Sequence, residues 1–116
     1  MQYLLLIYQS EALAAQAGPT GQTQMAAEFR TFTQSIIQSG QFKAGDALQP
    51  TSTATTIRVR DGKTLPTDGP FAETREQLAG YYLIDAKTLD DAIVIAARVP
   101  SARTGSVEIR PVRLYQ

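Results

Sequence analysis

The sequence predicts an α+β domain with the element order βαββαβ and a β-hairpin inserted before the third strand of the sheet. Three observations predict it. A short apolar run over residues 2–8 is typical of a strand, and apolar residues at helical spacing recur over residues 23–39. Between this helix and a later strand pattern, Asp61-Gly62 joins two segments in which apolar and polar residues alternate, which indicates a hairpin.

The first strand spans residues 2–8, and its continuous run of apolar and aromatic residues favours burial on both faces. Residues 10–21 are rich in Ala, Gln and Gly and contain the breaker Gly18-Pro19, which predicts a loop with one helical turn. A helix over residues 23–39 follows and ends at Gly40, because apolar residues recur at a spacing of four, three and four: Met25, Phe29, Phe32 and Ile36.

The second strand is predicted over residues 42–48 and carries Asp46 where an apolar residue is usual. The hairpin is predicted over residues 53–67. Its alternation places Arg58 on the face opposite Ile57, so Arg58 lies either on a solvated face or in a cationic wall that faces an anionic ligand.

The stretch after the hairpin, residues 68–74, begins with a bend at Asp-Gly-Pro. Pro70 fixes its own φ and restricts Gly69, which can take backbone angles that a side chain forbids. Asp68 is therefore either a carboxylate that caps the turn or a functional group, and Phe71 is expected to anchor the bend in the core.

The last three elements complete the predicted order. A strand over residues 77–86 is followed by a helix that Thr88 caps and that ends before Pro100. A closing strand over residues 107–115 contains Pro111, which marks an edge or a bulge.

Composition limits the function. The chain has 116 residues, enough for one domain, predicted to span residues 1–116, and its 11 basic and 11 acidic residues cancel. This balance argues against nucleic acid or an anionic membrane as the partner. The chain has no cysteine and no histidine, so thiolate catalysis, a Ser-His-Asp relay and imidazole metal sites are excluded.

Carboxylate, tyrosine, lysine and arginine chemistry remains, or a hard-metal site of oxygen ligands, but the sequence identifies no metal ligands and no cofactor. The N-terminal apolar run is too short for a signal peptide or a bilayer span. We therefore expect a cytoplasmic protein.

Residues 67–84, from Thr67-Asp68-Gly69-Pro70-Phe71 to Tyr81-Tyr82-Leu83-Ile84, resemble the DGPF-type signature of the YCII-related family. Weaker similarity extends to residues 3–8, 48–50 and 105–111. The resemblance implies a ferredoxin-like fold that dimerises into an α/β-barrel arrangement. It also implies a cleft with a catalytic His and Asp, of which this chain lacks the His.

The sheet is predicted to be apolar on both faces. Residues 77–86 carry Tyr82 and Ile84 on one face and Tyr81 and Leu83 on the other, whereas two helices can cover only one face. A second copy of the sheet is the simplest cover for the other face, which predicts a homodimer.

The predicted site has Asp68 as the catalytic carboxylate, with ligand-binding roles for a second group of residues: Asp46, Arg58, Glu73, Arg75 and Tyr82. Three hypotheses stay open at this point. The chain is an enzyme that uses carboxylate or tyrosine acid-base chemistry on a small molecule, a non-catalytic ligand-binding or regulatory module, or a purely structural dimer. The family's association with sigma-factor-like proteins supports the second.

Overall fold

The computed structural model describes residues 1–115. Two short 3₁₀ turns, Thr51–Thr53 and Pro100–Arg103, lie between the main elements. The main elements are, in chain order, β1 (Gln2–Gln9), α1 (Glu11–Gln16), α2 (Gly18–Gln38), β2 (Phe42–Ala47), β3 (Thr55–Arg60), β4 (Lys63–Asp68), β5 (Gln77–Asp85), α3 (Leu89–Ala97) and β6 (Ser106–Pro111).

The main sheet has four antiparallel strands in the order β2-β5-β1-β6, and β3 and β4 form a separate two-stranded hairpin. The connectivity is βαββαβ with the hairpin inserted between β2 and β5, so the predicted ferredoxin-like α+β fold is confirmed. The two central strands, β5 and β1, carry the longest registers, from Gln2 opposite Asp85 to Gln9 opposite Gln77.

The prediction of a loop over residues 10–21 is wrong, because two helices occupy it, although the one helical turn expected there is present as α1. Ser10 caps α1 by accepting a hydrogen bond from the backbone N–H of Leu13. Gly18 has a φ of +70° and kinks the chain between the helices, and Pro19 lies in the first turn of α2, where its missing N–H costs nothing. The breaker pair therefore separates two helices without ending helical structure.

The helices cover one face of the sheet and bury alternate residues of the central strands. On β1 these are Tyr3, Leu5 and Ile7, which pack with the buried residues Ile36 of α2 and Ile84 of β5. Thr88 caps α3, as predicted, by accepting from the N–H of Asp91. Packing on this face supplies the hydrophobic core.

The opposite face of the sheet has no cover within residues 1–115. Leu4, Leu6 and Leu83 are each half-buried on this open face. Within the described protomer β1 is thus buried on one face only; the predicted burial of its other face depends on a second copy of the chain and stays a prediction.

The β3–β4 hairpin, which we call the arm, projects from the domain with 11 of its 12 strand residues exposed. Its bend is held by backbone groups: the N–H of Gly69 donates to the carbonyl of Ala54 at 2.7 Å, and the Thr56 hydroxyl donates to the Gly69 carbonyl at 2.8 Å. Phe71 is 82% exposed, so the prediction that it anchors the bend in the core is wrong.

The closing strand is shorter than predicted. β6 ends at Pro111, and residues 112–115 lie outside regular structure. No helix within residues 1–115 is both long enough and apolar enough to cross a membrane.

Candidate functional site

A cavity of about 700 Å³ lies between the helices and one end of the sheet. Gln9, Ser10 and Thr104 are among the polar residues that line it. Its helical wall comes from α1 and the first half of α2, chiefly Leu13, Ala14, Ala17, Met25, Ala26 and Phe29. Its sheet wall comes from β1, β2 and β5, chiefly Ile7, Gly45, Ala47, Ala79, Gly80 and Tyr82. The walls are mostly apolar, as in ligand pockets generally.

Tyr82 forms the floor of the cavity because Gly45 leaves room for its ring. A Cβ at Gly45 would lie 2.7 Å from the Cδ1 atom of Tyr82, closer than carbon atoms pack. The ring also makes edge contacts with Phe32 and Phe42, with centroids 5.3 and 6.3 Å away. These contacts hold Tyr82 in one orientation with 8% of its surface exposed.

The hydroxyl of Tyr82 lies 2.7 Å from the Thr33 hydroxyl of α2, and either oxygen can be the donor. One of the two hydroxyls donates its proton to the other oxygen. The remaining hydroxyl proton is then free to be donated to a ligand. This pair places a neutral polar group on the apolar floor.

A second polar group lies where β2 meets β5. Asp46 and Tyr81 are register partners on these neighbouring strands, and the Tyr81 hydroxyl donates to Asp46 Oδ2 at 2.6 Å. The hydrogen bond to Asp46 and the negative charge of that carboxylate, with a smaller contribution from burial, raise the pKa of Tyr81. Tyr81 therefore keeps its proton at neutral pH, and Asp46 is the acceptor of the pair.

No charged side chain enters the cavity from the residues that line it. Asp46 is the one acidic residue among them, and its carboxylate bonds Tyr81 on the other face of the sheet; none of the lining residues is a lysine or an arginine. Within residues 1–115 no cation lies within ion-pair distance of Asp46. The cavity is therefore suited to a neutral molecule, and the nearby charge of Asp46 disfavours an anion more than a cation.

Of the six predicted site residues, Asp46 and Tyr82 lie in the wall of the cavity; the Tyr82 side chain faces the helices, whereas the Asp46 carboxylate lies on the open face of the sheet. Asp68 lies at the exposed end of β4, and its carboxylate accepts no hydrogen bond within residues 1–115, so it does not cap the turn. Arg58 lies on the exposed strand β3, while Glu73 and Arg75 lie in the exposed stretch after the arm, and none of the three lines the cavity.

Asp68 and Arg58 lie on opposite faces of the arm. Asp68 is paired in register with Thr55, whose side chain lies on the face opposite that of Arg58. The cationic face of the arm therefore points away from the Asp68 carboxylate.

Sequence reasoning allowed only one of the adjacent tyrosines to face the cleft, and it missed the contact between Tyr81 and Asp46 and the role of Thr33. Tyr82 faces the cavity on the helix side, whereas Tyr81 lies on the open face and bonds Asp46 there. Thr33 was visible as a polar residue within an apolar helical stripe, and that is the signal that could have identified it.

Comparison with known proteins identifies the family. The family model of the YCII-related domain matches residues 1–116. An uncharacterised protein of Rhizobium meliloti (strain 1021) is 36% identical over 118 residues, which cover 100% of this chain and 95% of that protein. The chain therefore belongs to the YCII-related domain family.

Proposed function

We propose that this YCII-related domain binds a small, largely apolar molecule in the cavity between the helices and the sheet. The observation that carries the proposal is the cavity itself: its volume of about 700 Å³ lies within the range of small-molecule sites, and polar groups occur at only a few points of its apolar wall. Pre-formed walls of this kind reduce the entropy lost on binding.

The ligand chemistry follows from the two polar groups. The Tyr82–Thr33 pair on the floor offers a neutral hydroxyl to a ligand, and the Asp46 carboxylate, on the other face of the same sheet, gives this end of the sheet a negative charge. An aromatic or aliphatic body with an amine or hydroxyl group matches this arrangement. A carboxylate or phosphate in the cavity would lie near the charge of Asp46, with no cation among the lining residues to offset the repulsion.

The Asp46–Tyr81 pair supports acid-base catalysis as a second candidate function. On the open face Asp46 can accept a proton from a ligand, and Tyr81, whose pKa is raised chiefly by its hydrogen bond to Asp46, stays protonated and orients the carboxylate. Once a ligand is identified, mass spectrometry would detect its turnover. Asp46→Asn is expected to abolish turnover and to leave a neutral ligand bound within a few-fold of the wild-type affinity.

The open face of the sheet supports the proposal of a homodimer. One row across the sheet runs Asp46, Tyr81, Leu6 and Glu108, so an apolar centre is flanked by polar groups. Glu108 accepts from Arg110 Nε at 2.6 Å and from the Tyr8 hydroxyl at 3.4 Å. A half-buried apolar centre with satisfied polar groups around it is suited to packing against a second copy of the same face.

Isothermal titration calorimetry with a matched pair of probes tests the binding proposal. We expect naphthylmethylamine to bind and naphthoate to bind at least tenfold more weakly, because the two differ mainly in charge. Ala14→Phe, which fills the cavity from α1, is expected to abolish binding of the amine. Ala15→Phe is the control, since Ala15 lies on the same helix and does not line the cavity.

Two results would contradict the proposal. Equal binding of the amine by both Phe variants would show that the cavity is not the site. Binding of the acid in preference to the amine would show that a cation, and not Asp46, selects the ligand.

A further inference from the structure

The arm presents apolar side chains that nothing in the described protomer covers. Ile57 and Val59 are 55% and 58% exposed, and the register places both on one face together with Pro66. An isolated two-stranded hairpin is marginally stable in water. An exposed hairpin that carries an apolar face is therefore suited to packing against another surface.

The shape of the protomer is consistent with an arm that contacts another molecule. Its radius of gyration is 16.1 Å, whereas a compact domain of this length has about 13 Å. The principal extents are 47 × 47 × 19 Å, so the protomer is a flat slab with an arm. A second copy that covers the open face of the slab would also come within reach of the arm.

The area of the open face also indicates that the arm takes part in the contact with a second copy. Four strands spaced about 4.8 Å apart, with about six residues each, give a flat patch of roughly 400 Å². A stable interface buries about 800 Å² on each partner. One face of an arm of six residue pairs measures roughly 200 Å². In a twofold dimer each copy buries its open sheet face, one face of its own arm and the surface under its partner's arm. The last two areas supply what the open face lacks for a stable interface.

The charges on the arm identify the face that packs. Arg58, Arg60 and Lys63 lie on the face opposite Ile57, and burying three cations without partners is costly. Leu65, opposite Arg58 in the register, is the apolar residue on that cationic face.

We propose that the arm is an intersubunit clasp: the face formed by Ile57, Val59 and Pro66 packs on the second copy of the chain. The proposal rests on the homodimer under the proposed function, and it assigns the arm a role that the open sheet face alone does not require. The cationic face of the arm stays in solvent.

Sedimentation equilibrium over a concentration series tests the clasp. The double variant Ile57→Asp/Val59→Asp is expected to raise the dimer dissociation constant roughly 100-fold, as for truncation of two central interface residues. Leu65→Asp is the control for the other face, since it replaces an exposed apolar residue there by an aspartate, and a change of threefold or less is expected. Far-UV circular dichroism checks that each variant is folded.

Each contrary result identifies what fails. A wild-type dimer that the double variant leaves unchanged would overturn the clasp and leave the open-face dimer standing. Equal weakening by Leu65→Asp would overturn the assigned face and the proposal with it. A wild-type monomer would overturn both the dimer and the clasp, whereas binding of the amine in the cavity is measured separately.

Discussion

The central strand pair and the arm show the same alternation of side chains and differ in what covers them. Ile84 on β5 is fully buried at 0% exposure, whereas Leu65 on β4 is 45% exposed. Both lie in antiparallel pairs of regular register. Period-two alternation therefore predicts that a strand forms, and the layer packed on it decides how much that strand contributes to stability.

The largest effect is expected from truncating the covered strand. Ile84→Ala removes methyl groups from a fully buried site and is expected to lower the free energy of unfolding by about 2–5 kcal/mol. Leu65→Ala in the arm is the matched control, with a change of about 0.5 kcal/mol or less. Urea denaturation measures both, and similar losses would show that the arm is as well packed as the core.

A smaller effect is expected where the covered sheet meets the cavity. Gly45→Ala places a Cβ 2.7 Å from Tyr82 Cδ1, so the ring must move, at a cost of about 1–3 kcal/mol. Amine binding should fall as well, because Tyr82 forms the floor of the cavity. Lys43, which is exposed on the same strand and does not line the cavity, gives the control Lys43→Ala, which should leave stability nearly unchanged. Unaltered stability of Gly45→Ala would argue against a fixed ring.

At the base of the arm the backbone is expected to matter more than the carboxylate. Gly69 has a φ of +103°, which a β-branched residue rarely adopts, so Gly69→Val should destabilise by about 1 kcal/mol or more. Asp68→Asn should change stability by about 0.5 kcal/mol or less, because the Asp68 carboxylate accepts no hydrogen bond within residues 1–115. Equal melting temperatures for the two variants would contradict this account of the bend.

The smallest effect concerns the contact between α1 and the segment that leads into the arm. The Glu11 carboxylate accepts from the Thr51 hydroxyl at 2.6 Å and from the Thr51 N–H at 2.8 Å. These two hydrogen bonds, the side-chain one first, lower the pKa of Glu11 below its ordinary value of 4.5.

The sign of the pH dependence follows from that direction. A folded-state pKa below the unfolded value stabilises the protein above pH 4.5, and the contribution is lost as the pH falls through the lower folded value. Glu11→Gln should therefore lower the melting temperature at pH 7, and the difference from wild type should shrink towards pH 3. A difference independent of pH would show that the charge of Glu11 plays no part.

Most of the fold could be predicted from the sequence because its signals are local. Helical spacing in α2, the Asp61-Gly62 turn and the Thr88 cap each depend on neighbouring residues, and the structure has all three. The helical path over residues 10–21 could not be predicted in the same way. Gly18-Pro19 is compatible with a loop and with a junction between two helices, and packing decides between them.

The candidate site depends on which elements meet in space, so the sequence predicted it only in part. Asp46 was identified because a carboxylate within a strand is unusual, and Tyr82 because it lies in a central strand. Asp68 was favoured because it lies in a strong turn signal. A turn signal describes local backbone geometry only, and does not indicate which elements meet in space. The register that joins Asp46 to Tyr81 spans 35 residues, and no local pattern encodes it.

The central claim is that small molecules bind at the cavity and not at the arm, and an NMR titration of the ¹⁵N-labelled protein with naphthylmethylamine tests it most directly. We predict chemical-shift changes that cluster at Asp46, at residues 79–82 and at the α2 segment from Met25 to Thr33. The Asp68 and Arg58 amides should stay unchanged. Shifts centred on Asp68 and Arg58, with the cavity residues unaffected, would contradict the account.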